Sequence, residues 1–105
     1  MELVKNDVMV EWDEAGEGLC GDYDENDPED IELLRFYVLR KVDGEWVQVD
    51  DASYCTMFPV STTEEQKMKA LEYLMWWFYE PVKAGHSVKK LGERLSWIDL
   101  SWIGN

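Results

Sequence analysis

Ten carboxylates fall within the twenty residues from Asp13 to Glu32, and no lysine or arginine stands among them. Gly16, Gly18, Gly21 and Pro28 are spread through the same stretch, with Asn26, so the local chemistry is that of a loop over about 13–31. A loop of this length exceeds the ~12–15 residues usual for structureless connections, and such loops commonly carry function. Whatever the chain folds into must therefore be built from the residues on either side of it.

Those flanks carry the signals of an α+β domain. Val8, Val10 and Trp12 alternate with Met9 and Glu11, which predicts a strand with one buried face. After the loop, Leu34, Phe36, Val38 and Val42 share one face of a second strand, Arg40 being the exception. Asp43-Gly44 is a strong two-residue hairpin signal. A returning strand is expected over Glu45–Val49, and a further pairing segment over Ser53–Phe58 after a turn at Asp50-Asp51. Ser61 with Glu64, or Thr62 with Glu65, fits a capping box, so a helix is expected from about Thr63 to Tyr79, ended or kinked by Pro81. Met68, Leu71, Met75 and Phe78 should face the sheet. Ser87 is placed to cap a second helix with Val88, Leu91, Leu95 and Ile98 on one face, weakened at Gly92 by ~1 kcal/mol relative to alanine. The expected fold is a single domain over residues 1–105. It has a small antiparallel sheet of three to four strands, covered by one long and one short C-terminal helix.

Charge is partitioned as sharply as structure. Residues 1–32 hold thirteen acids and one base, Lys5, for −12, whereas the remainder holds ten acids and nine bases, for −1. Solubility of a small domain needs a net charge of only about 2–8 in magnitude. Carboxylates within a Debye length of ~8 Å repel one another and oppose compaction. A cationic partner is the simplest compensation, and a merely solvated acidic loop is the plainer alternative. The expected partner-binding residues are Asp13, Glu14, Glu17, Asp22, Asp24, Glu25, Asp27, Glu29, Asp30 and Glu32. Fully extended at ~3.3 Å per residue, this segment presents one charge per ~7 Å, against ~1.7 Å along duplex DNA. Imitation of nucleic acid thus requires it to fold back, where its charges can join Asp43, Glu45, Asp50 and Asp51 in one field.

Other chemistry finds little footing. Asp22, Asp24, Asn26 and Asp30 match parts of a calcium loop, but Asp27 stands where glycine is needed and Leu33 where a bidentate glutamate is needed. No metal or other cofactor is expected. His86, the sole histidine, sits in a Gly-His-Ser turn, and neither Cys20 nor Cys55 lies in a catalytic or zinc-binding pattern. We expect no enzyme. Both cysteines read as reduced thiols, and with no basic-then-apolar start at the N-terminus a cytoplasmic location is expected. No apolar run reaches the ~18 residues of a membrane span. Trp76 and Trp77, with Tyr73, Phe78 and Tyr79, make the long helix apolar nearly all round. They belong either to a crowded core or to a second interface, including a homodimer contact.

In size, acidity and α+β pattern the chain resembles the small acidic inhibitors made by phages and other mobile elements, the anti-CRISPR and anti-restriction DNA mimics. The resemblance is one of profile and matches no motif. It implies a host-defence nuclease complex as target, whose DNA-holding lysines and arginines the acids would cover. A calcium-responsive or other acidic interaction module, and a small homodimeric structural protein, are the alternatives.

Overall fold

The computed structural model describes residues 1–12, 26–27 and 31–96, with 31–33 described by backbone alone. Four strands, β1 (Glu2–Lys5), β2 (Val8–Trp12), β3 (Ile31–Val42) and β4 (Glu45–Pro59), are followed by helices α1 (Glu64–Lys83) and α2 (Lys89–Leu95). The strands form one antiparallel sheet in chain order, β1-β2-β3-β4. This is the expected α+β architecture with four strands. β1 adds to the expected set: it pairs with β2 from Glu2↔Glu11 to Lys5↔Val8, through a turn at Asn6-Asp7 in which Asn6 adopts φ 52°.

The Asp43-Gly44 hairpin forms as expected, with φ 51° and 83°, the paired positive values of a type I′ turn. Asp50-Asp51 does not separate two strands. β4 runs on through them, and the β3 register shifts between Tyr37↔Ser53 and Leu39↔Gln48. Val38 thus faces the four residues 49–52, an enlarged bulge whose Asp50 and Asp51 sit at φ 61° and 49°. Aspartate tolerates this left-handed region better than most residues, which is why the same pair also reads as a turn.

One core joins sheet and helices. Val8, Val10 and Trp12 meet Leu34, Phe36 and Val38, then Tyr54 and Phe58, all buried under Leu71, Leu74, Met75, Phe78 and Val82 of α1. Trp12 lies edge-on to Phe36 and Phe58, with ring centroids 5.6 and 5.2 Å away. Its indole donates to the Lys67 carbonyl at 3.3 Å. The start of α1 is capped by Thr63, later than expected. The Thr63 hydroxyl accepts from the Gln66 amide at 3.1 Å, and the Gln66 side chain accepts from the Thr63 amide at 2.9 Å. Thr62 is occupied by the preceding turn, where its amide donates to the Pro59 carbonyl.

Pro81 does not end α1, which continues to Lys83. It sits in the last turn, where its missing amide forfeits a single helical bond. The helix then closes as a Schellman motif: the Gly85 amide donates to Val82 and the His86 amide to Pro81, with Gly85 at φ 80°.

The short helix α2 packs against β4 through a glycine. A Cβ on Gly92 would lie 2.2 Å from the Tyr54 ring, so only glycine lets the two approach. What reads as a weakness of the helix is therefore a packing requirement. Its start is held by the bulge, since Asp50 Oδ2 accepts from the Val88 amide at 2.7 Å. Its end is held by Ser96, whose Oγ accepts from the Cys55 amide at 3.1 Å and donates to the Cys55 carbonyl at 3.2 Å. Ile98 lies outside the described residues.

Candidate functional site

β2 and β3 are the two strands that the acidic segment joins, and their pairing sets its footprint. Trp12 pairs with Phe36, and Ile31 stands five residues earlier on β3. At ~3.3 Å per residue, the last residue of β2 and the first of β3 are about 17 Å apart along the sheet. Both anchors are firm. Trp12 is buried between two aromatic rings and α1, and Ile31 pairs with Pro59 on β4. Nine carboxylates, from Asp13 to Asp30, lie in the chain between these two anchors.

Of the expected partner-binding residues, Asp27 is described and exposed. Glu32 pairs with Phe58 in β3, its side chain outside the description. Asp13, Glu14, Glu17, Asp22, Asp24, Glu25, Glu29 and Asp30 lie outside the described residues. So do Cys20 and the tail tryptophans Trp97 and Trp102.

The four acids expected to join that field, Asp43, Glu45, Asp50 and Asp51, lie along the β3–β4 ribbon, and the segment expected to meet them lies, apart from Asp27 and Glu32, outside the described residues. β3 runs eleven residue steps from Ile31 to Val42, so the Asp43-Glu45 hairpin tip stands about 36 Å from where the acidic segment re-enters the sheet. That is several Debye lengths in physiological salt. Asp50 is spent on the Val88 amide. These four acids are hairpin and bulge residues at separate places along the sheet. Their types follow from the positive φ at Asp43, Asp50 and Asp51.

Cys55 is disulfide-bonded. The expectation of two reduced thiols fails there, and with it the argument from free thiols to a reducing compartment. The chain holds one other cysteine, Cys20, 35 positions away and in no recognisable pairing pattern.

The aromatic constellation divides. Phe78 is buried and Tyr73 and Tyr79 are half-buried, whereas Trp76 is 72% exposed and Trp77 36%. Tyr73, Trp77 and Trp76 form an edge-to-face series, with centroids 6.4 and 5.0 Å apart. The long helix therefore shows solvent an aromatic ridge. Trp76 also walls a cavity of about 340 Å³ with Met75 and Glu72 of α1 and Leu3, Val4 and Lys5 of β1. β1 is the edge strand of the sheet among the described residues, so the cavity opens beside that edge. Sequence reading of Trp76 and Trp77 found one wall of this groove but not the other, because β1 is a four-residue strand with two charged ends.

Among the described residues no cluster of three or more His, Cys, Asp or Glu side chains is arranged to hold a metal ion. No helix among them is long and apolar enough to cross a membrane. Among the described residues, Tyr54 has a displaced titration. Its hydroxyl is buried, and burial, then Asp50 and Glu93, push its pKa above the ordinary 10.0. It lies in the core beneath α2, across Phe36 from Trp12, and does not line the groove. The chain matches no protein-family model, no curated protein and no solved structure.

Proposed function

We propose that this chain is a non-enzymatic acidic binding protein that occupies a lysine- and arginine-rich nucleic-acid-binding surface of another protein. A nuclease complex of a host defence system is the class of target that the resemblance to DNA-mimic inhibitors implies. The observation that carries the reading is the footprint. Nine carboxylates stand in the eighteen residues that join two strand ends about 17 Å apart, and a segment folded back over that footprint would approach the charge density of duplex DNA. The rest of the chain holds fourteen acids and ten bases, for −4, so most of the charge that would attract a basic groove belongs to this segment. Such a partner places the protein in the cytoplasm of the cell that holds the nuclease, where the Cys55 disulfide is subject to reduction.

The test is capture from a lysate of the host cell, followed by elution with rising salt and, in parallel, with duplex DNA. The captured protein should bind DNA on its own and be released by duplex DNA. A variant with Asn at Asp22, Asp24, Asp27 and Asp30 should keep its circular dichroism spectrum and lose capture. Retention of the partner by that variant, or a partner that duplex DNA cannot displace, overturns the reading.

A further inference from the structure

The two edges of the sheet are finished differently. At the β4 edge, the backbone groups of Cys55 are taken by the Ser96 hydroxyl, and α2 packs alongside. At the β1 edge nothing among the described residues takes the corresponding groups. In the two-residue Asn6-Asp7 hairpin, Lys5 and Val8 exchange both backbone bonds, and alternation then turns Leu3 toward β2 as well. The amides and carbonyls of Glu2 and Val4 are left facing outward. An unpaired edge is a template for another strand.

The groove lies directly beside this edge. Leu3 and Met75 supply apolar walls, Val4 is 48% exposed, and Trp76 stands 72% exposed along the side. A large exposed aromatic beside a pocket is the usual form of an anchor in protein recognition. We infer that the β1 edge and the Trp76 groove receive an extended segment of a basic protein, which pairs with β1 and seats an apolar side chain against Trp76. This inference rests on the proposed function for the sign of the partner's charge.

Charge selects the occupant. A second copy of this chain would bring another −13 to the contact, so like-charge repulsion opposes an edge-to-edge dimer. Glu72 lines the groove and Glu2 stands exposed on β1, whereas the Lys5 ammonium is turned onto the Tyr79 ring, 4.0 Å from its centroid. The rim therefore favours lysine or arginine flanking the apolar residue. Position agrees as well. The Trp12 amide donates to the Met1 carbonyl, so the acidic segment leaves the sheet beside the start of β1. Leu3 begins the groove two residues further on, about 7 Å away. One basic partner can span both.

The experiment selects a random dodecapeptide library displayed on phage against the intact chain, then measures the enriched peptides in solution. The expected peptides alternate apolar residues and carry flanking Lys or Arg. Trp76→Ala should weaken their binding at least tenfold. Val4→Pro removes an outward amide without touching the β1–β2 ladder, and should do the same while leaving the thermal midpoint nearly unchanged. N-methylation of alternate peptide amides should abolish binding. Peptides that bind Trp76→Ala and Val4→Pro at full strength, peptides enriched in acidic flanks, or concentration-dependent self-association in sedimentation would each overturn the inference. If only the Asn variants of the acidic segment lose the lysate partner, and Trp76→Ala and Val4→Pro hold it fully, the groove is not part of the interface and the proposed function stands without it.

Discussion

Tyr54 shows how one residue can serve the core and strain against it. Its ring stacks on Phe78, lies tilted against Phe36 and seats Gly92 of α2, but its hydroxyl is buried with no hydrogen-bond partner among the described residues. An unpaired buried hydroxyl forfeits a desolvation penalty of about 1–3 kcal/mol. Tyr54→Phe keeps the ring and removes the orphan, so denaturant melts should show it equal to the parent or more stable by up to about 2 kcal/mol. The same hydroxyl holds its proton more tightly when folded, through burial and then the charges of Asp50 and Glu93. Its contribution is complete below pH 10 and is lost as pH rises through the raised folded value. The parent should therefore lose stability more steeply than Tyr54→Phe above pH 10, as read from midpoints across an alkaline series. Equal slopes would show that other groups account for alkaline unfolding.

At the scale of elements, the long β3–β4 ribbon is held from both sides. The β1–β2 turn grips α1 through the Asn6 amide on the Tyr79 hydroxyl at 2.6 Å, and through the exposed Asp7–Lys83 pair at 4.0 Å. The latter is exposed enough to add little. On the other side α2 is a seven-residue helix, too short to persist alone, and it exists because β4 supplies its ends. The Cys55 disulfide adds a covalent restraint at the same point of β4. Removing a native disulfide from a small domain costs about 2–5 kcal/mol. Cys55→Ser, or reduction with dithiothreitol, should lower the urea midpoint, and the unfolding free energy obtained from it should fall by an amount in that range. An unchanged midpoint in reductant would mean that the bond constrains nothing in the unfolded chain.

For the whole molecule, the decisive quantity is the uneven distribution of charge. An acidic third attached to a balanced domain repels itself, and added salt relieves that repulsion within a Debye length. Raising sodium chloride from about 20 mM to 0.5 M should therefore raise the urea midpoint of the isolated protein. The same salt should release a basic partner held by the acidic segment. Opposite responses of stability and binding are the signature of charge held for recognition. A midpoint that falls with salt would instead point to attractive ion pairs within the fold.

Much of this was legible in the residues alone. Val8, Val10 and Trp12 announced a half-buried strand, Asp43-Gly44 a hairpin, and the spacing of Leu71, Met75 and Phe78 a helix lying on the sheet, because each is a local pattern with a local cause. The α+β order followed from them, and the partition of charge needed only counting. Other features depended on contacts between distant positions. Thr63 rather than Ser61 or Thr62 caps α1, with Gln66 as its partner, after a turn in which the Thr62 amide is bonded back to Pro59. Asp50-Asp51 is a bulge rather than a turn because β3 continues to pair on both sides of it. Gly92 is required by a ring 38 residues earlier, and Cys55 is bonded for reasons no spacing expresses. The groove at Trp76 is the clearest case: a helix face and a strand edge, separated by some seventy residues, become one surface only when the sheet is covered.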